Sequence, residues 1–399
     1  MNNLFLLPEL NEYDNKENLI DLKFYDKKEN TELITINKSL NYYLKNIKLE
    51  LDRLVDWDKF KKLTFTYEFI STKVINNNKQ ICTYEPISRA FFKIYEIIYN
   101  SIDILKNKNS IKSFHLAEGP GGFIEATAYY RNNKNDKYYG MTLIEKNNKN
   151  IPNWEKCKRI MNKYKNIEIL TGKTKNGDLF ELENFIDIYN NHRNSFDFIT
   201  GDGGIDYSED FNNQEQITIN LIIAQILYAL VLQKEGGTFV LKIFDCFYEN
   251  TINIINSLSI FYKNVYICKP DTSRSANSEK YIICKHFRRK LKKSEYENIK
   301  YSFNNFKNKD KIFYSILNIK PEYNYLLKIE EINSILGQQQ LESINLTLNF
   351  IFSSKNYSYD NFSKKNKEKI NNILKTNISK CIKWCKNYNF NYNNIRITF

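Results

Sequence analysis

The sequence predicts an α/β fold built on a doubly wound, mostly parallel sheet, and three observations point to it. Between Ser113 and His286, short apolar runs alternate with longer stretches of helical apolar spacing. Eleven of the twelve glycines, from Gly119 to Gly237, fall inside that segment and only Gly337 lies outside it. Unusual backbone conformations and close approaches are therefore concentrated there. Finally, the apolar run Phe114-His115-Leu116-Ala117 leads into Glu118-Gly119-Pro120-Gly121-Gly122-Phe123 and then a helical stretch ending at Arg131. A strand, a glycine turn and a helix N-terminus in that order suit a nucleotide-like ligand, because unpaired backbone N–H groups converge there.

Taken in order, seven strands are expected at residues 114–117, 138–144, 167–170, 196–200, 237–243, 265–268 and 281–284, with helices between them, the clearest over 214–233. The last two strands are separated by Lys269 to Lys280, too short a connection for a crossover helix. A hairpin is expected, with the final strand antiparallel. That topology is typical of Rossmann-like methyltransferases rather than of dehydrogenases, and the first glycine turn does not match G-x-G-x-x-G. Around this central domain, residues 86–289, the sequence places a mostly helical N-terminal extension over 1–85, with helices at 40–54 and 57–63. A helical C-terminal appendage covers 290–399, with helical spacing at 323–335 and 367–386 and no catalytic motif.

Lys and Arg outnumber Asp and Glu by 59 to 46, giving +13, and aromatics reach 15%. Basic charge interleaved with flat rings suits nucleic acid; an AT-rich genome would produce the same bias toward Lys, Asn, Ile and Tyr. The seven cysteines are widely spread and, with three histidines, form no zinc spacing, so no metal is expected. A reducing intracellular compartment, cytoplasmic or nuclear, is the expectation. No apolar run is read as approaching the roughly 20 residues of a membrane span, and residues 1–14 lack a basic n-region with an apolar core, so no membrane partner is expected.

Four ionisable residues stand where such a sheet would bring them together. Lys93 lies on a helix before the first strand, Asp202 just past the fourth, Lys242 near the end of the fifth and Glu279 at the start of the last. Ligands bind at the carboxyl ends of parallel strands, and an antiparallel last strand presents its beginning to that same edge. Singly, each has a plain structural explanation: a lysine late in a strand can snorkel to solvent, and Asp202-Gly203-Gly204 can be a turn. Their joint placement favours one crevice.

These residues sit in motifs that resemble the FtsJ-like RNA ribose 2′-O-methyltransferases, and within them the cap-specific enzymes. Ser88-Arg89-Ala90-Phe91-Phe92-Lys93 is similar to the helix with the family's first lysine, Gly201-Asp202-Gly203-Gly204 to its aspartate turn, and Phe239-Val240-Leu241-Lys242-Ile243-Phe244 to its second-lysine strand. The segment from Lys269 to Tyr281 resembles the closing glutamate motif in its cap-enzyme form, and Gly140-Met141-Thr142-Leu143 the second strand of cap enzymes. The first strand departs from the pattern, offering His115 and Glu118 where bacterial members often place an aspartate.

The resemblance implies a Lys93-Asp202-Lys242-Glu279 catalytic tetrad using S-adenosylmethionine. The cofactor's methionine end would lie against Glu118, Gly119, Pro120, Gly121, Gly122 and Phe123, its adenine near Asp178, and its methyl group near Asp202. Asp178 alternatively caps the helix that follows it. The implied reaction is methylation of a ribose 2′-OH on the first or second transcribed nucleotide of capped mRNA. Lys242 would act on the hydroxyl, Asp202 would orient it, and Glu279 would hold Lys93 or the ribose. Arg89 and Arg274, inside the first and last motifs, and Arg288 and Arg289, in a basic run ending at Lys293 and expected just outside the site, are the candidate RNA contacts. A ribosomal or transfer RNA methyltransferase would use the same tetrad, and a non-catalytic RNA-binding subunit would be free to lose it.

Overall fold

The computed structural model describes residues 3–10, 19–26, 33–51, 54, 57–145, 153–204, 211–308, 310–354 and 364–395. Its strands are β1 (Leu4–Leu6), β2 (Ile20–Asp26), β3 (Lys112–Leu116), β4 (Lys137–Met141), β5 (Ile167–Ile169), β6 (Phe196–Gly201), β7 (Gln233–Ile243), β8 (Tyr262–Cys268), β9 (Lys280–Phe287) and β10 (Lys311–Leu317). The helices are α1 (Lys38–Leu51), α2 (Trp57–Thr64), α3 (Ala90–Ser101), α4 (Ile104–Asn107), α5 (Gly122–Arg131), α6 (Lys158–Lys163), α7 (Leu182–His192), α8 (Gln214–Leu232), α9 (Glu249–Phe261), α10 (Lys293–Ser302), α11 (Tyr323–Ser354) and α12 (Lys364–Asn387).

The main sheet has the order β1-β8-β9-β7-β6-β3-β4-β5. Strands β7, β6, β3, β4 and β5 are mutually parallel, whereas β9 lies antiparallel between β7 and β8, as expected of a hairpin. The sheet has eight strands rather than seven, because Leu4–Leu6 adds itself antiparallel to the free edge of β8. A second departure involves both extensions, which were expected to be helical: β2 and β10 pair with each other as a two-stranded antiparallel sheet. Ile20, Leu22 and Phe24 alternate with polar residues in β2, the period-two pattern of a half-buried strand, and this small sheet packs against α8, α9 and α10.

The central strands are apolar on both faces, as strands covered by helices on each side must be. Ile199 and Leu241 belong to a core shared with α7, α8 and α9, whereas their neighbours Phe198 and Val240 face a second core shared with α3, α5 and α12. Helix α8 is apolar all round and by length and composition could cross a membrane, against the expectation that no run comes close. Here it is a core helix, with 78% of its apolar window buried inside the protein.

The extensions are packed into the second core. Helix α12 rests on α2 and on a short 3-10 turn at Glu68–Ile70. Phe390, just beyond α12, sits among the rings of Phe91, Phe92, Tyr95 and Trp384 at centroid distances of 4.8–6.1 Å. The helix that carries Lys93 is thus walled by residues from the far end of the chain.

Candidate active site

Register places the four expected residues along one edge. Leu116 pairs with Gly201 and Gly201 with Leu241, so the chain leaving β3 and β6 stands beside the end of β7. The antiparallel pairing of Ile243 with Lys280 brings Glu279 to that same end. Helix α3 completes the group by placing Lys93 Nζ 2.8 Å from Glu279 Oε2. Lys242 Nζ lies 3.0 Å from Asp202 Oδ1 and donates to the Asp202 carbonyl at 2.8 Å. The tetrad is therefore two ion pairs, Lys93 with Glu279 and Lys242 with Asp202.

Each carboxylate also feels the other pair, and the balance differs. Burial pushes the Glu279 carboxyl up, but the ammoniums of Lys93 and Lys242 outweigh it and hold it down at about 2. Ser273 and Tyr281 donate hydroxyl hydrogen bonds to Glu279 Oε1 at 2.8 and 3.2 Å. At Asp202 burial prevails, leaving its carboxyl above the ordinary range despite Lys242 and Lys93. Environments that push two carboxyls of one site apart are a mark of functional sites.

The glycine turn adjoins the tetrad. Gly121 takes φ +116°, open to glycine and strained for any other residue, and starts α5. Glu118 is buried, and its Oε1 accepts the Phe123 and Ile124 amides, so those two N–H groups are already satisfied from within. This corrects the expectation of unpaired amides converging on a ligand at that point. What the turn presents instead is Glu118 Oε2, a buried oxygen without a hydrogen-bond partner among the described residues. Burial and the nearby charge of Asp202 push the Glu118 carboxyl well above its ordinary range. Two destabilised carboxyls beside a glycine turn fit a cationic ligand, whose charge would favour the ionised form of both.

Asp178 lies where the chain after β5 returns to the end of β4. A Cβ on Gly177, at φ +65°, would collide with the Thr142 carbonyl, so only glycine allows this approach. Asp178 Oδ1 accepts the Phe180 amide at 2.9 Å. It is not the N-cap of the next helix, since α7 begins at Leu182 with Glu181 in that position. His115 is buried between Ser113 and Thr200 hydroxyls at 2.9 and 2.8 Å, and burial lowers its pKa to about 3, so it is a neutral core residue.

The arginines are placed differently. Arg89 and Arg274 both direct their guanidiniums at the buried carboxylate of Glu68. Arg288 pairs with Glu9 at 3.1 Å and Arg289 with Glu295 at 2.7 Å. Because β9 runs from Tyr281, opposite Lys242, to Lys285, opposite Thr238 in the middle of β7, Arg288 and Arg289 beyond its end lie toward the opposite edge of the sheet from Lys242. The basic run is therefore not just outside the site: an antiparallel strand that begins at the tetrad must end away from it.

Sequence reasoning missed Glu68, Glu96 and Lys269. Glu96 accepts the Asp271 and Thr272 amides at 2.8 and 3.2 Å, and Lys269 Nζ donates to the Asn277 and Glu279 carbonyls at 2.7 and 2.8 Å. The available signal for Glu96 was a carboxylate in a helix that is apolar apart from Lys93, Ala90-Phe91-Phe92-Lys93-Ile94-Tyr95-Glu96-Ile97-Ile98. A cavity of about 330 Å³ opens beside Glu279, lined among others by Trp57, Phe244, Lys48, Lys61 and Gln340.

A model of the FtsJ-like methyltransferases matches residues 86–287. The chain is 34% identical over 171 residues to a cap-specific mRNA (nucleoside-2′-O-)-methyltransferase of Autographa californica nuclear polyhedrosis virus, covering 42% of this chain and 62% of that one. It is 29% identical over 243 residues to cap-specific mRNA (nucleoside-2′-O-)-methyltransferase 1A of Caenorhabditis briggsae, 57% of this chain and 27% of that one. To an inactive cap-specific mRNA (nucleoside-2′-O-)-methyltransferase 1B of the same organism it is 27% identical over 243 residues, 57% of this chain and 28% of that one. The chain thus spans about three fifths of the viral relative and under a third of the other two. With the matched segment taking in the glycine turn, both ion pairs and the closing hairpin, and amounting to just over half of the chain, this protein belongs to the FtsJ-like methyltransferase family.

Proposed function

We propose that the protein transfers a methyl group from S-adenosylmethionine to a ribose 2′-OH on the first or second transcribed nucleotide of capped mRNA. The observation that carries this reading is the pair of contacts Lys93–Glu279 and Lys242–Asp202 at one sheet edge, next to a glycine turn with a buried carboxyl oxygen unpartnered among the described residues. A subunit kept only for RNA binding has no use for this geometry, whereas a catalyst does.

When bound, S-adenosylmethionine supplies a methyl group on a positively charged sulfur. Gly119, Pro120, Gly121, Gly122 and Phe123 would shape the turn against its methionine end, Glu118 Oε2 would meet polar or cationic atoms there, and Asp178 would stand toward the adenine. The cofactor would supply the methyl carbon and its sulfur would keep the electron pair of the broken bond, while the ribose 2′-OH must lose its proton. Lys242, fixed by two oxygens of Asp202, is the cation that stabilises negative charge growing on the 2′-oxygen as its proton passes to water. Lys93, anchored by Glu279, holds the ribose in line.

The cavity beside Glu279 supports a capped substrate. It joins two aromatic residues, Trp57 and Phe244, which can stack a base, with Lys48 and Lys61, which pair with Asp245 and Asp58 and stand within reach of phosphates at the same cavity. The test is nuclease mapping of radiolabelled methyl on matched RNAs with a methylated cap, an unmethylated cap and a bare triphosphate. Label at the first or second nucleotide of capped RNA is expected. Equal labelling of all three, or label at internal positions, would assign the activity to ribosomal or transfer RNA instead.

A further inference from the structure

We propose that Glu68 is a positioning residue that locks the loop carrying Glu279 onto the helix carrying Lys93; the proposal rests on the reading of that ion pair given above. Arg89, Lys93 and Glu96 follow one another at intervals of four and three, so they share one face at the start of α3. Each is matched to the chain between Cys268 and Lys280. Lys93 meets Glu279 at 2.8 Å, and Glu96 takes the Asp271 amide at 2.8 Å and the Thr272 hydroxyl at 3.0 Å. Arg89 reaches Arg274 through Glu68, which both bind.

At Glu68 one guanidinium makes a two-nitrogen fork and the other shares a single nitrogen between both oxygens. Arg89 Nη1 lies 3.0 Å from each carboxylate oxygen, while Arg274 Nε and Nη2 lie 3.0 and 2.8 Å from Oε2 and Oε1. Glu68 itself is 0% exposed and comes from the turn at Glu68–Ile70, ahead of the family-matched segment. A carboxylate so deeply buried is tolerable only while its oxygens stay paired. Guanidinium hydrogen bonds are directional, and with Arg274 forked on Glu68 and Arg89 Nη1 bonded to both its oxygens, Glu68 ties the start of α3 to the loop. Lys269 closes that loop on its own carbonyls at Asn277 and Glu279, so what Glu68 fixes at Arg274 is transmitted to Glu279.

Glu68 lines neither the cavity nor the glycine turn, and this separates positioning from binding. The experiment compares Glu68→Gln and, as a milder variant, Arg274→Lys with the unaltered protein. Amide hydrogen exchange across residues 270–279 is measured without RNA, and kcat and KM are measured in methyl transfer. Loosening the loop is expected to speed exchange at Asp271 and Thr272 about tenfold or more. It is expected to lower kcat about 10- to 100-fold in Glu68→Gln, with KM for S-adenosylmethionine within about threefold, since a misplacement near 1 Å is enough for such a loss. Arg274→Lys, which keeps the charge and loses the fork, should fall between, and it decides the matter if Glu68→Gln does not fold. Unchanged exchange in a folded variant overturns the proposal, as does a cofactor KM that rises in step with the loss of kcat. If the unaltered protein methylates no RNA, the functional reading fails, while the exchange data still judge the role of Glu68.

Discussion

Lys93 and Glu279 are 186 residues apart in the chain and 2.8 Å apart at their charged ends. Beside them Lys242 and Asp202 close at 3.0 Å. Two cations and two carboxylates then balance as a group, which makes charge this far from bulk water tolerable. The division of labour follows from the difference between the carboxylates, one held at about 2 by its ammoniums and the other raised by burial.

Lys242→Ala is expected to reduce transfer by about a thousandfold or more, the scale of removing a group that stabilises charge in the transition state. Cofactor affinity should stay within about threefold, because the glycine turn and Asp178 do not depend on that side chain. Calorimetry with S-adenosylmethionine beside a turnover assay checks both. Retained activity would remove Lys242 from the mechanism.

Acid should silence the enzyme through Asp202 rather than Glu279. As pH falls, the raised carboxyl of Asp202 takes a proton first and Lys242 loses its counter-charge, while Glu279 stays ionised down to about 2. The acid limb of kcat is therefore expected above the Glu279 value, and Asp202→Asn should abolish that limb together with most of the rate. An unmoved limb in Asp202→Asn would assign it elsewhere.

Neutralising Arg288, Arg289 and Lys290 together should leave the salt dependence of RNA binding unchanged, since Arg288 and Arg289 lie toward the far edge of the sheet and are already paired with Glu9 and Glu295. A protein that makes several phosphate contacts loses roughly one unit of log–log slope for each contact removed. A flatter slope in the triple variant would return this run to the RNA path. The expected cost is instead to stability, about 1–3 kcal/mol for Arg289→Ala, because the buried Glu295 carboxylate loses its fork.

Stability should decline as pH rises from about 4.5 to 7. Burial, helped by Asp245, pushes Glu215 up to about 7. In that window the native state holds a proton that the unfolded chain has lost, so raising pH favours unfolding. Glu215→Gln is expected to lower Tm overall, because Glu215 accepts the Phe247 and Tyr248 amides with different oxygens, yet to weaken the decline of Tm between pH 5 and 8. An unchanged slope would show that Glu215 is ionised throughout.

The central sheet and the tetrad were legible because strand ends carry their own punctuation. Lys242 follows three apolar residues, and Asp202 follows a fully buried strand and precedes two glycines. The pairing of β2 with β10 was not legible: the alternation in Ile20–Asp26 marks a strand, but nothing local names a partner nearly 290 residues away. Glu68 was hidden for the same reason, its meaning lying in two arginines remote from it in sequence. The location of Arg288 and Arg289 was legible in principle, since the expected antiparallel final strand already carries them away from Glu279. In α8, Thr218, Asn220 and Gln225 interrupt the apolar run and hide its length.

The match to the family model ends at residue 287, but the wall behind Lys93 does not. Trp384, on α12, donates its indole N–H to Glu96 at 3.4 Å across 288 residues, and Phe390 fills the space between Phe92 and Tyr95. A protein trimmed to the recognisable segment would retain every residue of the tetrad and still leave an aromatic flank open to water. The portable unit, for excision or for exchange between proteins, is larger than the stretch that aligns.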